Sequence, residues 1–268
     1  MARRISLGSY YAAVSPIHAL DPRVKIAITL LYMVSCLIAR GAPALALATL
    51  LALATCTLAR IPLGRFARQL RPLAAVLVVT SLVNLLFADV GDVVAAWGPF
   101  AIRTAGIEAA VLYTVRFLLM FAMGSLLMLT TTPTAIADGL RGLLAPLERF
   151  GVPVGEAAMV VSIALRFVPT LARDARAITT AQTARGADLA GRGPIAYVRA
   201  CIPLATPLFT GAMRHAENLG RAMDARGYTG SAERTCWHEL RLDSRRDGAA
   251  IAVAAICLVA ILALSVIG

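Results

Sequence analysis

One short pattern occurs twice in this chain: Ala181-Gln182-Thr183-Ala184-Arg185-Gly186 and, 41 residues on, Ala222-Met223-Asp224-Ala225-Arg226-Gly227. The chemistry it offers is that of the guanidinium: planar, always charged, with five donors in a fork that suits carbonyl and carboxylate oxygens. Charged hydrogen bonds of this kind contribute roughly 1.5–3 kcal/mol each, so two anchors are enough to hold a partner. The neighbouring residue types predict how each Arg is held. Ala favours helix, Arg in a last turn complements the negative end of the helix dipole, and Gly just beyond is the favoured left-handed stop. Each copy therefore reads as a helix ending in an Arg at a rigid tip. One such copy is an ordinary helix C-cap. Two in the polar half of an apolar chain read as matched pegs for two similar, or two-fold related, sockets.

Other chemistries find little support. No G-x-S-x-G, H-E-x-x-H or P-loop is present, and no paired intramembrane carboxylates. Cys36, Cys56, Cys201, Cys236 and Cys257 form no Cys-x-x-Cys pair, and His18, His215 and His238 are equally scattered, so neither a disulfide framework nor a metal site is implied. No catalytic residues are assigned, and no cofactor is expected on this chain. Arg3-Arg4 near the start is followed by no apolar run and cleavage site at signal-peptide distance.

The elements that must position the two tips lie in a membrane protein. Of 268 residues, 59% are hydrophobic and 15% charged, against roughly 25% charged in soluble domains; the mean hydropathy is +0.76. Charge is segregated: 15 of the 26 basic and 11 of the 15 acidic residues lie between Thr134 and Gly248. The net charge of +11 is dispersed among acids and apolar faces rather than grouped with aromatic platforms, which fits a cytoplasmic membrane face and not nucleic acid.

In chain order, His18-Ala19-Leu20-Asp21-Pro22-Arg23-Val24-Lys25 places a cap before Pro in a first helical turn. Arg23 and Lys25 then mark the cytoplasmic edge of a first span. Residues 26–39 and 44–59, each shorter than the ~20 that cross a bilayer core, read as a tight helical hairpin. Arg60, Arg65, Arg68 and Arg71, with no acid among them, mark a cytoplasmic loop. A third span follows over 73–88, with Asp89, Asp92 and Trp97 at the outer surface. A fourth covers 105–129 with Arg116 near its middle, where a charge costs ~2.5–3.5 kcal/mol and must face helices or water. A site and an interhelix contact both fit Arg116; Glu108, the only acid in the span, lies two turns away.

Thr130-Thr131-Thr132-Pro133 opens the polar half with a cap and a helix bearing Ile136, Leu140, Leu143, Leu144 and Leu147 on one face; Gly151-Val152-Pro153 ends it. Residues 156–167 are apolar but too short to span, and Pro169 is expected to kink or break the helix. Beyond it Leu171, Ala175, Ile178 and Gln182 share a face up to the first tip, while Arg173, Asp174 and Arg176 lie off it. Pro203 and Pro207 interrupt the next apolar stretch. The helix to the second tip sets Ala212, Ala216, Leu219 and Met223 on one side, with the i,i+4 pair Glu217–Arg221 on the other. Residues 249–267 form a final span. The expected fold is all-α and polytopic: four spans over 1–129, a cytoplasmic or interfacial region over 130–248, and a fifth span over 249–268, with the N-terminus cytoplasmic.

Four segments in order carry a family resemblance: His18-x-Leu20-Asp21-Pro22-Arg23-x-Lys25, Leu165-Arg166-Phe167-Val168-Pro169-Thr170-Leu171, Ala181 to Asp188, and Ala222 to Tyr228. Together they resemble the transmembrane T component of energy-coupling factor transporters, micronutrient importers driven by ABC-type ATPases. The resemblance implies a non-enzymatic subunit of a bacterial or archaeal inner membrane. Ala184-Arg185-Gly186 and Ala225-Arg226-Gly227 would sit in grooves on two ATPase subunits, which bind the ATP and Mg. Arg166, Pro169, Gln182, Asp188, Glu217, Arg221 and Asp224 would support those tips, and Asp21, Pro22, Arg23 and Lys25 form the N-terminal motif. A separate membrane-embedded substrate-binding subunit would carry the vitamin, cobalt or nickel. A stand-alone secondary transporter is disfavoured because the one repeat lies in the polar half; a membrane enzyme is disfavoured by the missing motifs.

Overall fold

The computed structural model describes residues 10–11, 13–39, 41–86, 92–97, 100–186, 194–230, 243 and 245–267. Eight α-helices are seen among them: α1 Pro22–Ile38, α2 Ala42–Leu58, α3 Leu63–Leu86, α4 Thr104–Thr130, α5 Pro133–Leu144, α6 Val154–Ala184, α7 Pro194–Ala225 and α8 Arg246–Ile267. A two-stranded antiparallel ladder, β1 Val93–Trp97 with β2 Phe100–Arg103, precedes α4. The sequence reading missed it: Val-Val-Ala-Ala-Trp is short, but β-branched and aromatic residues suit a pleated ribbon. The chain divides into two compact units, Met1–Leu143 with Leu240–Gly268, and Leu144–Glu239.

In the first unit the caps form as their residue types dictate. The Asp21 side chain accepts from Arg23 N at 2.8 Å ahead of Pro22, and Thr132 Oγ1 accepts from Ala135 N at 3.3 Å ahead of Pro133. Helices α1 and α4 run antiparallel. Lys25 Nζ donates to the Thr130 carbonyl, Met33 lies against Gly124, where a Cβ would meet it at 2.9 Å, and Arg116 donates to the Ala39 carbonyl. Tyr32, Cys36, Ala44, Leu45, Ala48, Leu119, Met123 and Ile261 form the core that joins α1, α2, α4 and α8. The Tyr32 hydroxyl donates to the Ala48 carbonyl at 2.9 Å.

Arg116 thus has the partner that the sequence reading lacked. It meets the C-terminal end of α1, where the helix dipole is negative, and its guanidinium lies 5.2 Å from the Tyr113 ring centroid. Glu108 was never needed, because α1 ends at this depth against the side of α4.

A polar node ties the other end together. Asp247, buried in the first turn of α8, accepts from Asp21 N at 3.1 Å and from Asp243 N at 2.8 Å. Lys25 donates to the His18 carbonyl at 3.0 Å as well as to Thr130. His18 is held by Ser15 Oγ at 2.7 Å and the Tyr11 carbonyl at 3.0 Å. Beside the node α5 crosses α1 closely. A Cβ at Gly139 would press on Pro22 and Ile26 at 3.0 Å, and one at Gly142 would collide with the Arg23 guanidinium.

Three expectations need correcting. The arginine-rich stretch 60–71 is not a loop throughout, since α3 begins at Leu63 and carries Pro72 inside it. Pro169 does not break α6, nor do Pro203 and Pro207 break α7. Each Pro removes one ladder bond at ~3 kcal/mol, a local loss in helices of 24 to 32 residues. The Arg173 side chain also reaches the Pro169 carbonyl at 3.4 Å and Thr170 Oγ1 at 3.3 Å. The apolar stretch before Pro169 is consequently not truncated. By length and composition α6 is sufficient to cross a membrane, as are α4 and residues Arg246–Ser265 of α8; Ala42–Leu58 and Arg71–Leu86 are shorter apolar helices.

Large apolar side chains face outward along these helices, among them Val76, Val78, Val79 and Leu82 on α3 and Val253, Ile256 and Val259 on α8. Surfaces of this extent do not stand in water. The protein is an all-α polytopic membrane protein.

Two stability tests follow from the node. Asp247→Ala leaves two N–H groups without their acceptor, and is expected to cost about 2–3 kcal/mol, read as a lowered melting temperature in detergent. Burial, reinforced by nearby Lys25 and opposed by the bond to Tyr11, holds His18 below its ordinary value of 6.5. The folded imidazole therefore stays neutral where the unfolded one protonates. This stabilisation is fully present above about pH 6.5 and is lost as pH falls through the folded value. The melting temperature should drop below about pH 6.5, and His18→Asn should flatten that drop.

Candidate functional site

The second unit is built on α6 and α7, which pack against each other. The face expected on α6, Leu171, Ala175, Ile178 and Gln182, is half-buried; of the residues expected off it, Arg173 and Arg176 are exposed, but Asp174 is half-buried and turned to α7. On α7, Ala212, Leu219 and Met223 are half-buried; Ala216, on the same expected face, is exposed.

Both helices stop as the Ala-Arg-Gly pattern dictates. At the end of α6, Gly186 has φ +85° and its N–H donates to the Thr183 carbonyl at 3.0 Å. At the end of α7, Gly227 has φ +69° and donates to the Asp224 carbonyl at 2.9 Å, while Tyr228 N donates to the Met223 carbonyl at 3.0 Å. The latter pair of bonds is the Schellman closure, which satisfies the final carbonyls and fixes the exit of the chain. Ala184, Arg185 and Gly186, and likewise Ala225, Arg226 and Gly227, are exposed. No Cβ-distance neighbour surrounds either glycine, so the left-handed backbone, not crowding, is what requires it there.

One contact between the helices went unread in the sequence. His215 Nε2 lies 3.1 Å from Asp174 Oδ2, and the His215 ring tilts against Phe167 with centroids 5.9 Å apart. Asp174 and His215 are 41 residues apart, the same spacing as Arg185 and Arg226. Each therefore stands eleven residues before its tip, about 16 Å of helix. The tie joins the two helices at points equally far from both guanidinium-bearing ends. The repeat spacing was available as a signal, but nothing in the residue types alone pairs an Asp on one helix with a His on another.

The other expected residues fall as follows. Arg166 is exposed on α6, one turn before Pro169 within the same helix. Glu217 and Arg221 face each other at 3.9 Å, both well exposed, a geometry that contributes little. Asp224 is exposed, and its carbonyl rather than its carboxylate serves the cap. Asp188 lies outside the described residues. Asp21, Pro22, Arg23 and Lys25 belong to the polar node of the first unit. Asp247, the acceptor at its centre, was not singled out from sequence; an acid opening an otherwise apolar final span was the available signal. Among the described residues no three His, Cys, Asp or Glu side chains stand together as metal ligands.

A helical membrane protein with paired arginine-tipped helices is the class these features define. Residues 13–237 match the cobalt transport protein family CbiQ. The chain is 38% identical over 256 residues to an energy-coupling factor transporter transmembrane protein of Heliobacterium modesticaldum, covering 96% of each. It is 40% identical over 250 residues to that of Thermosediminibacter oceani, covering 93% of this chain and 94% of that one. It also matches a putative ABC transporter ATP-binding protein of Bifidobacterium longum at 39% identity over 231 residues, 86% of this chain and 30% of that protein. This chain belongs to the CbiQ family, as a transmembrane component of energy-coupling factor transporters.

The glycine stops can be tested directly. Gly227→Val forces a β-branched residue into left-handed backbone at a cost of about 1–2 kcal/mol. Amide exchange should accelerate over the last turn of α7 and leave α4 unchanged.

Proposed function

We propose that this protein is the coupling subunit of a micronutrient importer, in which Arg185 and Arg226 engage two cytoplasmic ABC-type ATPase subunits. ATP and Mg are bound and turned over on those partners, and this chain performs no catalysis. The observation that carries the reading is the paired helix ends: exposed guanidiniums on closed caps, each eleven residues beyond one shared tie. Rigid helices joined about two-thirds of the way along, at Asp174 and His215, convert a change in spacing of two sockets into a change in the angle between the helices. Residues 130–248 form the coupling region in this reading, and 1–129 with 249–268 carry the bilayer spans.

The relative named as an ATP-binding protein, of which this chain covers less than a third, supports an ATPase of that class as the partner. The family description names cobalt, and the substrate class proposed is a vitamin or cobalt or nickel, recognised by a separate membrane subunit. Charge placement supports a cytoplasmic N-terminus in a bacterial or archaeal cell membrane. Arg23 and Lys25, the α2–α3 junction at Arg60 and the start of α8 at Arg245 and Arg246 all gather at the α4 end marked by Leu129 and Thr130.

Reversing both charges, Arg185→Glu with Arg226→Glu, should leave membrane insertion intact and abolish recovery of the ATPases on co-purification in detergent. Undiminished recovery would defeat the proposal. Asp174→Ala and His215→Ala probe the tie. ATPase binding should persist in each while transport falls, and the double variant should lose no more than either single one, because the two side chains act as one contact.

A further inference from the structure

The first unit bears a half-open cavity of about 740 Å³ between α1, α2, α4, α8 and the segment leading into α1. Its wall is almost wholly apolar. Most of the hydroxyls that reach it are engaged within the protein: Tyr32 with the Ala48 carbonyl, Ser35 with Tyr32, Thr55 with Ala52, Thr130 with Leu126 and Ser15 with His18, while Thr29 also lines the wall. Two charged side chains line it, Lys25 and Arg246, both basic and both at the same end. Lys25 engages two of its three N–H donors among the described residues, with the His18 and Thr130 carbonyls. Among the described residues Arg246 meets Asp243, at 3.7 Å and with both side chains mostly exposed. Asp21 and Asp247 stand near Lys25, but neither lines the cavity.

The dimensions select an occupant. Along α8 the lining runs from Arg246 to Ile261, and along α1 from Lys25 to Ser35, roughly 22 and 15 Å of helix. One leaflet of a bilayer supplies acyl chains over half of its ~30 Å hydrocarbon core. Water finds few free partners on such a wall.

We infer that this cavity holds one acyl chain of an anionic phospholipid, with the phosphate at the Lys25 and Arg246 mouth. The chain fills the slot that α1, α2, α4 and α8 leave between them. The headgroup takes up the remaining donors of the two basic side chains, which explains a basic mouth with no acid on the wall.

The full-length protein in phosphatidylcholine vesicles, doped with phosphatidylglycerol carrying a photoactivatable group in its acyl chain, tests this. Cross-links should concentrate in peptides covering residues 249–261 and 28–35. A phosphatidylcholine probe of the same chain, whose quaternary ammonium cancels the headgroup's net charge beside the two basic side chains, should label those peptides on the order of tenfold less. Arg246→Gln, at an exposed position that the fold does not need, should erase most of that preference. Ala254→Phe should block labelling by either probe. Labelling confined to the outward face of α3 around Val76–Val83, or equal labelling by both probes, would overturn the inference. So would cross-links that Arg246→Gln leaves as selective as before.

Discussion

A carboxylate buried where two helices begin is the constraint on which the first unit depends. Asp247 takes the N–H of Asp21 and the N–H of Asp243 at once. The start of the last helix is thereby fastened to the start of the first, across 226 residues of chain. Burying a charge is costly unless its lone pairs are met, and here they are met by backbone donors with Lys25 close by. The cost itself makes the arrangement specific. If α8 slid or turned against α1, the carboxylate would lose both donors, whereas Ile261 and its apolar neighbours could repack with less loss.

From that fastening the remaining packing of the unit follows. With α1 and α8 placed, α4 is positioned by Lys25 reaching Thr130 and by Arg116 reaching the end of α1. The same basic side chain that would be a liability in the bilayer satisfies a helix-terminal carbonyl there. Gly124, Gly139 and Gly142 permit the close approaches. Packing in an apolar medium gains nothing from expelling water, so small residues and polar clasps carry the specificity.

The second unit uses a different device. Its two long helices end on glycines in the left-handed region, and the backbone bonds around those glycines leave the Arg185 and Arg226 side chains exposed at the tips. The two helices pack along their half-buried faces, and Asp174 with His215, beside Phe167, adds a polar tie between them eleven residues before each tip.

Much of this was legible in the residues. Helix ends at Arg185 and Arg226, the Asp21 and Thr132 caps, and the membrane character all follow from local chemistry: propensity, dipole, hydrogen-bonding side chains and apolar runs. A kink or a break was expected at Pro169, and interruptions at Pro203 and Pro207, because a local rule counts the lost bond and not the thirty residues of helix around it. The stretch 60–71 was read as a loop because charge marks a membrane side without stating whether its backbone is helical. Only the tertiary structure could decide the partner of Arg116, the role of Asp247 and the pairing of Asp174 with His215. Each joins residues tens to hundreds of positions apart, and their meeting is set by how whole helices pack, a quantity that no single stretch of sequence contains.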